Sequence, residues 1–455
     1  MMERIFSIKT RLTFMNFLQF FVWGAWLITI ANYWFDTKHW GPAEFGAIFS
    51  TLGLSSILMP TIFGIIADRW INAEKLYSIL HILSGITVLC FPMINDPQTF
   101  FWIMLVAMSF YMPTIALNYS ITYNALKTNN FDVVRDFPPI RVWGTIGFII
   151  AMWVTNLSGN KATEVQFYIS AVGSITLGLY SLSLPKCPPQ KQTSQSTGWV
   201  ELLGLNAFKL FANYKMALFF IFSMLLGAAL QLTNMYGDVF ISDFGKIDIY
   251  KNMVYNYSNL FLPSLDHLSL FWDKVHYIIN YDNLIPALVI KYSTIIMSIS
   301  QISETLFILA IPIFLKKFGI KNVMLISMLA WVLRFGLFSF GDPAGGLWMI
   351  VLSCIVYGMA FDFFQISGSL FVETTTDSTI RSSAQGLFMM MTNGFGSVFG
   401  SVVSGEIIAK FFTHKVGSIM IKDWHSIWLT FAIYALVVAI LFAIFFKHKH
   451  EPNKL

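Results

Sequence analysis

The sequence predicts an all-α integral membrane protein, with twelve transmembrane helices arranged as two six-helix bundles. Three observations lead there. Of 455 residues, 56% are hydrophobic and only 12% charged, and the mean hydropathy is +0.65, which soluble domains do not show. The apolar residues fall in long runs, each near the roughly 20 residues a helix needs to cross about 30 Å of hydrocarbon. One long polar stretch then divides those runs six and six. Strands of a transmembrane barrel would be about ten residues long and would alternate polar with apolar. These runs are too long and too uniform for that.

In chain order, the first run, 12–34, follows a basic flank of Arg4, Lys9 and Arg11 with no small-residue cleavage site after it. It reads as an uncleaved first helix, not a signal peptide. The second and third, 45–67 and 76–94, are joined by GIIADRW, in which Asp68 and Arg69 form a charged turn. The fourth to sixth span 98–126, 139–157 and 166–184. PKCPPQKQTSQSTGW, from Pro185 to Trp199, is rich in Pro, Gln, Ser and Thr and is the longest cytoplasmic break. It predicts bundles at 1–185 and 214–455 about a central loop, 186–213, with a substrate cavity between them near the bilayer midplane. The seventh run, 214–238, leads into an extended external segment at about 239–290, in which FLPSLDHLSLFWDKVHYIINYDNLIP is a candidate for a short helix on the membrane surface. The last five runs are 291–315, 321–340, 347–371, 383–409 and 427–446.

Roughly twice as many Lys and Arg lie on the amino-terminal side of this arrangement as on the other, which predicts both termini in the cytoplasm. The net charge of +5 is that loop asymmetry, since no basic run with interleaved aromatics points to nucleic acid. Cys90, Cys187 and Cys354 have no paired or metal-ligand spacing. No disulfide, metal or cofactor is expected.

A charge at the centre of a membrane helix costs about 2.5–3.5 kcal/mol on insertion scales, so polar residues inside the runs should outline the pathway. Arg141, Thr145 and Phe148 share one face of the fifth run at spacings of four and three. Gln231 and Asn234 lie three apart on the seventh, and Gln301 and Glu304 three apart on the eighth. Tyr357, Phe361 and Asp362 share a face of the tenth. This inventory suits a small neutral molecule with hydroxyls and a flat ring: amides and carboxylates meet hydroxyls or a heterocycle edge, and Phe148 or Phe361 stacks on a ring face. Asp362 and Glu304 are candidates to carry a proton, with Arg141 as a competing partner.

The competing structural readings are specific. Gln231 and Asn234 could be interhelical glue, and Glu304, Asp362 and Arg141 a purely structural ion-pair network. NGFGSVFGSVVSG, residues 393–405, follows no strand and reads as close helix packing through small residues. His81 has no second ligand at helical spacing and reads as packed or pore-side. Gln19, Trp23 and Trp26 either line the cavity or pack. No Walker sequence is present, so energy is expected from an ion gradient or from the solute.

The segments NFLQFFVWGAWL, GIIADRWINAEKLY, DFPPIRVWGTIGFIIAMWV, FIFSMLLGAALQLTNMYG, IIMSISQISETLFIL, YGMAFDFFQISGSLFVE and SAQGLFMMMTNGFG resemble the bacterial nucleoside permeases of the nucleoside:proton symporter family, within the major facilitator superfamily. The resemblance spans both halves. It implies proton-coupled uptake of purine and pyrimidine nucleosides, such as uridine, cytidine, adenosine or inosine, across the bacterial inner membrane by a monomer. It also implies a nucleoside site at Arg141, Thr145, Phe148, Gln231, Asn234, Gln301, Glu304, Tyr357, Phe361 and Asp362, and a gating role for Asp68 and Arg69. Two departures stand out: the external segment after the seventh helix is longer here, and Gln365 in FDFFQISGS replaces an expected Asn. The residues alone leave a proton-coupled sugar or polyol symporter as the alternative. A membrane enzyme is disfavoured, because no His-x4-Asp, zinc-spacing or activated-nucleophile pattern is present.

Overall fold

The computed structural model describes residues 7–189, 205–246, 281–377, 380–416 and 419–448. Its helices follow from local chemistry. Helix α1 (Ile8–Gly24) starts where Ser7 accepts the Thr10 amide. Helix α2 (Pro42–Arg69) starts on a proline, whose missing amide and fixed φ suit the first turn. Helix α3 (Ala73–Leu89) precedes α4 (Pro97–Thr128), which opens on Pro97 with Asp96 accepting the Thr99 amide at 2.8 Å. Helices α5 (Val133–Leu157) and α6 (Val165–Ser181) follow. Asn213 caps α7 (Tyr214–Asp243) through the amides of Lys215 and Met216.

Beyond α7, most of the external segment lies outside the described residues, including residues 261–280 of the stretch expected to hold a surface helix. Its end forms α8 (Tyr281–Lys291), which packs beside α7. Helix α9 (Ser293–Phe340) would be about 70 Å long if straight, too long for one crossing, and Gly319 breaks it at φ 75°, ψ 167°. Only glycine takes that conformation freely, so the arms 293–318 and 320–340 are two crossings, matching the predicted eighth and ninth runs. Helix α10 (Leu347–Thr375) is followed by α11 (Arg381–Met389), a wide π-turn (Met390–Gly396) and α12 (Ser397–Phe411). Strands β1 (Thr413–Val416) and β2 (Ile419–Lys422) pair antiparallel, with Thr413 opposite Lys422. Asp423 then caps α13 (Trp424–Phe445) at the Ser426 amide.

Nine helices among the described residues are long and apolar enough to cross a membrane, with α9 counting once. All twelve predicted runs fall on helix. Three details differ. The first run is interrupted at 25–29 and resumes as a short turn into a π-helix, Tyr33–Thr37; Thr155 hydroxyl donates to the Ala25 carbonyl at 3.0 Å and supports that break. Helix α5 starts six residues early and runs through Pro138 and Pro139, because membrane helices tolerate proline when neighbours take up the freed carbonyls. The third run stops at Leu89, and a 3₁₀ turn covers Phe91–Met93.

Helix α1 packs on α5 and α6, α2 on α4, and α3 on α4 and α6; α9 packs on α10 and α13, and α7 on α12. Contacts between the first six and last six segments run through α2 with α12 and the π-turn, α5 with α9, and the short turn at Ile30–Asn32 with α7. Leu309, Ile313 and Val172 are exposed, as side chains facing lipid should be.

Candidate transport site

Arg141, Thr145 and Phe148 project from α5 and are half-buried. The Arg141 Nε donates to the Tyr119 hydroxyl at 3.1 Å, and the guanidinium lies over the Phe20 ring at 4.1 Å. Phe148 meets the indole of Trp23 edge-on at 6.5 Å. On α10, Tyr357 and Phe361 stack with centroids 6.1 Å apart, and Asp362 is buried one position further on. Arg141, Glu304 and Asp362 lie within electrostatic reach of one another, so α5, α9 and α10 converge. Yet none of the ion pairs among the described residues includes any of the three. A structural ion-pair network is therefore not what holds them there.

Gln231 on α7 is buried and its Nε2 finds no protein partner; the same holds for Gln301 Oε1, Asp362 Oδ2 and Trp23 Nε1. Side-chain amides acting as interhelical glue would be paired. Three unpaired polar atoms on the predicted site helices, with that of Trp23 on α1 beside them, fit a surface that bonds to solute instead. Asn234 is half-buried on the same helix. Among the described residues no cluster of His, Cys, Asp and Glu could hold a metal ion.

Other candidates sort differently. His81 is fully buried, with Nε2 2.9 Å from Gln19 Oε1 and Nδ1 3.1 Å from the Ser174 hydroxyl. It is a packed residue, not a pore-side one. Gln19 also accepts a hydrogen bond from the Tyr77 hydroxyl and donates one to Thr114, so it and the buried Trp26 pack, and only Trp23 borders the site. Gln365 donates to Met389 Sδ at 3.0 Å. The glycines of 393–405 pack as expected: Gly396 faces Gly227, and Gly405 faces Gly46. Asp68 and Arg69 are exposed at the end of α2 and form no ion pair among the described residues.

The sequence missed two features. One is Arg334, which is fully buried on the second arm of α9; it was visible only as a charge inside a helix. The other is a polar latch. Among the described residues, every side-chain hydrogen bond and ion pair between the first six and last six segments lies at the end opposite the termini. There Asn32 donates to Asp238, which also accepts from Thr294 at 2.8 Å. Lys161 donates to Ser242 and Ser293, both at 2.8 Å. Burial pushes the Lys161 ammonium below its usual range, while Asp238, Asp36 and Asp243 pull it back up. Lys246 bridges Asp36 and Asp243, and Lys422 reaches Asp243 at 3.2 Å across the face of Phe35. These residues sit at run ends, where the sequence shows only ordinary loop charges.

A helical membrane protein with buried polar groups converging midway, and with a cluster of polar bonds at one end joining its two sets of helices, has the design of an alternating-access transporter. The family model of the nucleoside H+ symporters matches residues 6–451, so the chain belongs to that family, within the major facilitator superfamily. It is 45% identical to the nucleoside permease NupG of Escherichia coli (strain K12) over 98% of this chain and 97% of that one. Its identity to the xanthosine permease of the same organism is 44%, covering 99% and 98%. A crystal structure of the nucleoside transporter NupG superposes with a TM-score of 0.83 at 45% identity, covering 98% of this chain and all of that one. A POT family transporter at 12% identity shares the fold, with a TM-score of 0.62 over 96% and 95%. The chain is thus a proton-coupled nucleoside transporter and not an enzyme.

Proposed function

We propose that this nucleoside:proton symporter carries both purine and pyrimidine nucleosides into the cell across the bacterial inner membrane, as a monomer, with both termini cytoplasmic. Two six-helix units, 1–185 and 214–455, rock about the linker 186–213 and expose one central site to each side in turn. The observation that carries this reading is the convergence of Arg141, Glu304 and Asp362 without an ion pair. Such charges serve a changing occupant better than a fixed scaffold. The unpaired amides of Gln231 and Gln301, with Asn234, meet the base edge or ribose hydroxyls, as do Arg141 and Thr145. Phe148, or the stacked pair Tyr357 and Phe361, offers a ring face to the base. Asp362 carries the proton, with Glu304 the second candidate, and Asp68 and Arg69 act when the cytoplasmic side closes. Near-equal identity to relatives named for nucleosides at large and for xanthosine leaves base preference to the site itself.

Vesicles containing the protein should take up labelled uridine and inosine, and a protonophore should collapse both. Unlabelled nucleosides should compete, and free sugars should not. Inhibition by sugars alone would transfer the assignment to a polyol symporter.

With that orientation the structure is closed to the outside by the latch. Asp238→Ala removes the acceptor shared by Asn32 and Thr294. A hydrogen bond to a charged group contributes about 1.5–3 kcal/mol, so the outward-open fraction should rise by about tenfold or more. The probe is an Ala31→Cys substitution, at a site buried in this state beside Asn32, made in a Cys90→Ser background because that native thiol is exposed, and labelled by an impermeant maleimide from outside. Labelling as slow as in the parent would remove the latch from the mechanism.

A further inference from the structure

Arg334 is a guanidinium with no exposed surface in the last six segments, and no carboxylate pairs with it among the described residues. Its Nε donates to the Thr233 hydroxyl at 3.3 Å, and Nη1 donates to the Ser353 carbonyl at 2.6 Å and to the Ser300 hydroxyl at 3.4 Å. Its plane sits between two rings, 4.6 Å from the centroid of Tyr357 and 4.9 Å from that of Phe338. Trp331 adds an edge contact to the Tyr357 ring at 6.0 Å.

The partners are not scattered. Thr233 lies on α7 between Gln231 and Asn234, Ser300 on α9 immediately before Gln301, and Ser353 on α10 one turn before Tyr357. One side chain therefore touches all three helices that bear the second half of the proposed nucleoside site, each within a turn of a site residue. A charge so deep in the membrane is costly to keep, and a purely structural crosslink between these helices needs only a neutral amide. What the cation adds is attraction to a desolvated aromatic face, worth about tenfold or more in a local equilibrium when buried.

We infer that Arg334 is a positioning residue: it clamps the ring of Tyr357 from behind and registers α7, α9 and α10 so that Gln231, Gln301 and Tyr357 present one preformed face to the nucleoside. Arg334 itself touches no substrate. The inference rests on Tyr357 belonging to the nucleoside site.

The test is a double-mutant cycle on uridine binding and transport by the full chain in proteoliposomes, with Arg334→Gln, Arg334→Lys and Tyr357→Leu. Arg334→Gln should raise KM about tenfold with Vmax little changed, because it disturbs ground-state binding. Arg334→Lys keeps a cation over the ring and should recover most of that loss. In the Tyr357→Leu background, with no ring to clamp, Arg334→Gln should add only the about twofold to threefold that loss of the helix-registering hydrogen bonds costs. If Tyr357→Leu weakens binding but Arg334→Gln leaves KM unchanged, or multiplies it equally in both backgrounds, the clamp is wrong and the site stands. If Tyr357→Leu leaves binding intact, both fall. Ser300→Ala guards against misfolding of the arginine variants: it frees one arm of the guanidinium without removing charge and should raise KM about twofold to threefold, and an unchanged KM there would also overturn the clamp.

Discussion

Asp362→Asn should turn the symporter into a passive carrier. A proton moving down about 100 mV releases about 2.3 kcal/mol, and about 1.4 kcal/mol is tenfold in a concentration ratio. One proton per neutral nucleoside therefore sustains roughly 50-fold accumulation per 100 mV. With Asn at position 362 the side chain keeps its size and mimics the neutral acid, with one acceptor oxygen and an NH2 donor, but holds no exchangeable charge. Uptake down a gradient and exchange of labelled for unlabelled uridine should persist, and accumulation should fall to a ratio near one. The geometry explains why this residue leads. Asp362 is 5% exposed, its Oδ2 has no protein partner, and its charged neighbours are Glu304 and Arg141, with neither bonded to it. Its charge can change without dismantling a scaffold. Glu304, half-buried beside Gln301, is the control. If Asp362→Asn accumulates at the parental ratio and Glu304→Gln does not, the proton belongs to Glu304. If both variants accumulate normally, neither carboxylate couples transport to the proton gradient.

What the sequence revealed follows from what a bilayer forbids. Backbone groups without water must pair within the segment, so long apolar runs are read as helices, and the predicted runs fall on helix apart from the break in the first and the early end of the third. Charges inside those runs are costly enough to stand out, which is why Arg141, Glu304 and Asp362 were visible and why they do converge. Arg334 was equally anomalous, but its partners are hydroxyls, a backbone carbonyl and ring faces. None of these has a distinctive spacing. The latch was hidden for the opposite reason. Asp36, Lys161, Asp243, Lys246 and Lys422 sit where charges are inexpensive, and only the tertiary arrangement brings them together. The hairpin of β1 and β2 was missed because each strand is four residues long, too short for an alternating pattern to register. The break in the first helix depends on Thr155, 130 positions away, and no local signal marks it.

Gly227→Leu should yield no folded protein, and Gly227→Ala should already be markedly unstable. A β-carbon at position 227 would meet the carbonyl carbon, oxygen and Cα of Thr392, and one at Gly396 would meet the Met224 carbonyl and the backbone of Gly227. Helix α7 and the π-turn at Met390–Gly396 therefore approach backbone to backbone. No flexible side chain is present at that contact to move aside, so even one methyl must push the two segments apart. Overpacking a well-filled core with side-chain atoms costs about 1–3 kcal/mol, and displacing main chain belongs at or above the top of that range. The same displacement reaches the site, because Gln231 lies one turn along α7 from Gly227. Any Gly227→Ala protein that does fold should bind uridine more weakly. Gly336→Ala is the matched control: its β-carbon would meet nothing within 4 Å, and removing a helical glycine should stabilise by about 0.5–1 kcal/mol. Thermal unfolding of the purified proteins, followed by size-exclusion chromatography, separates the two. If Gly227→Ala melted with the parent, the close approach of α7 and the π-turn could not be a determinant of the fold. If it melted early yet bound uridine normally, the packing of this seam would be independent of the position of Gln231.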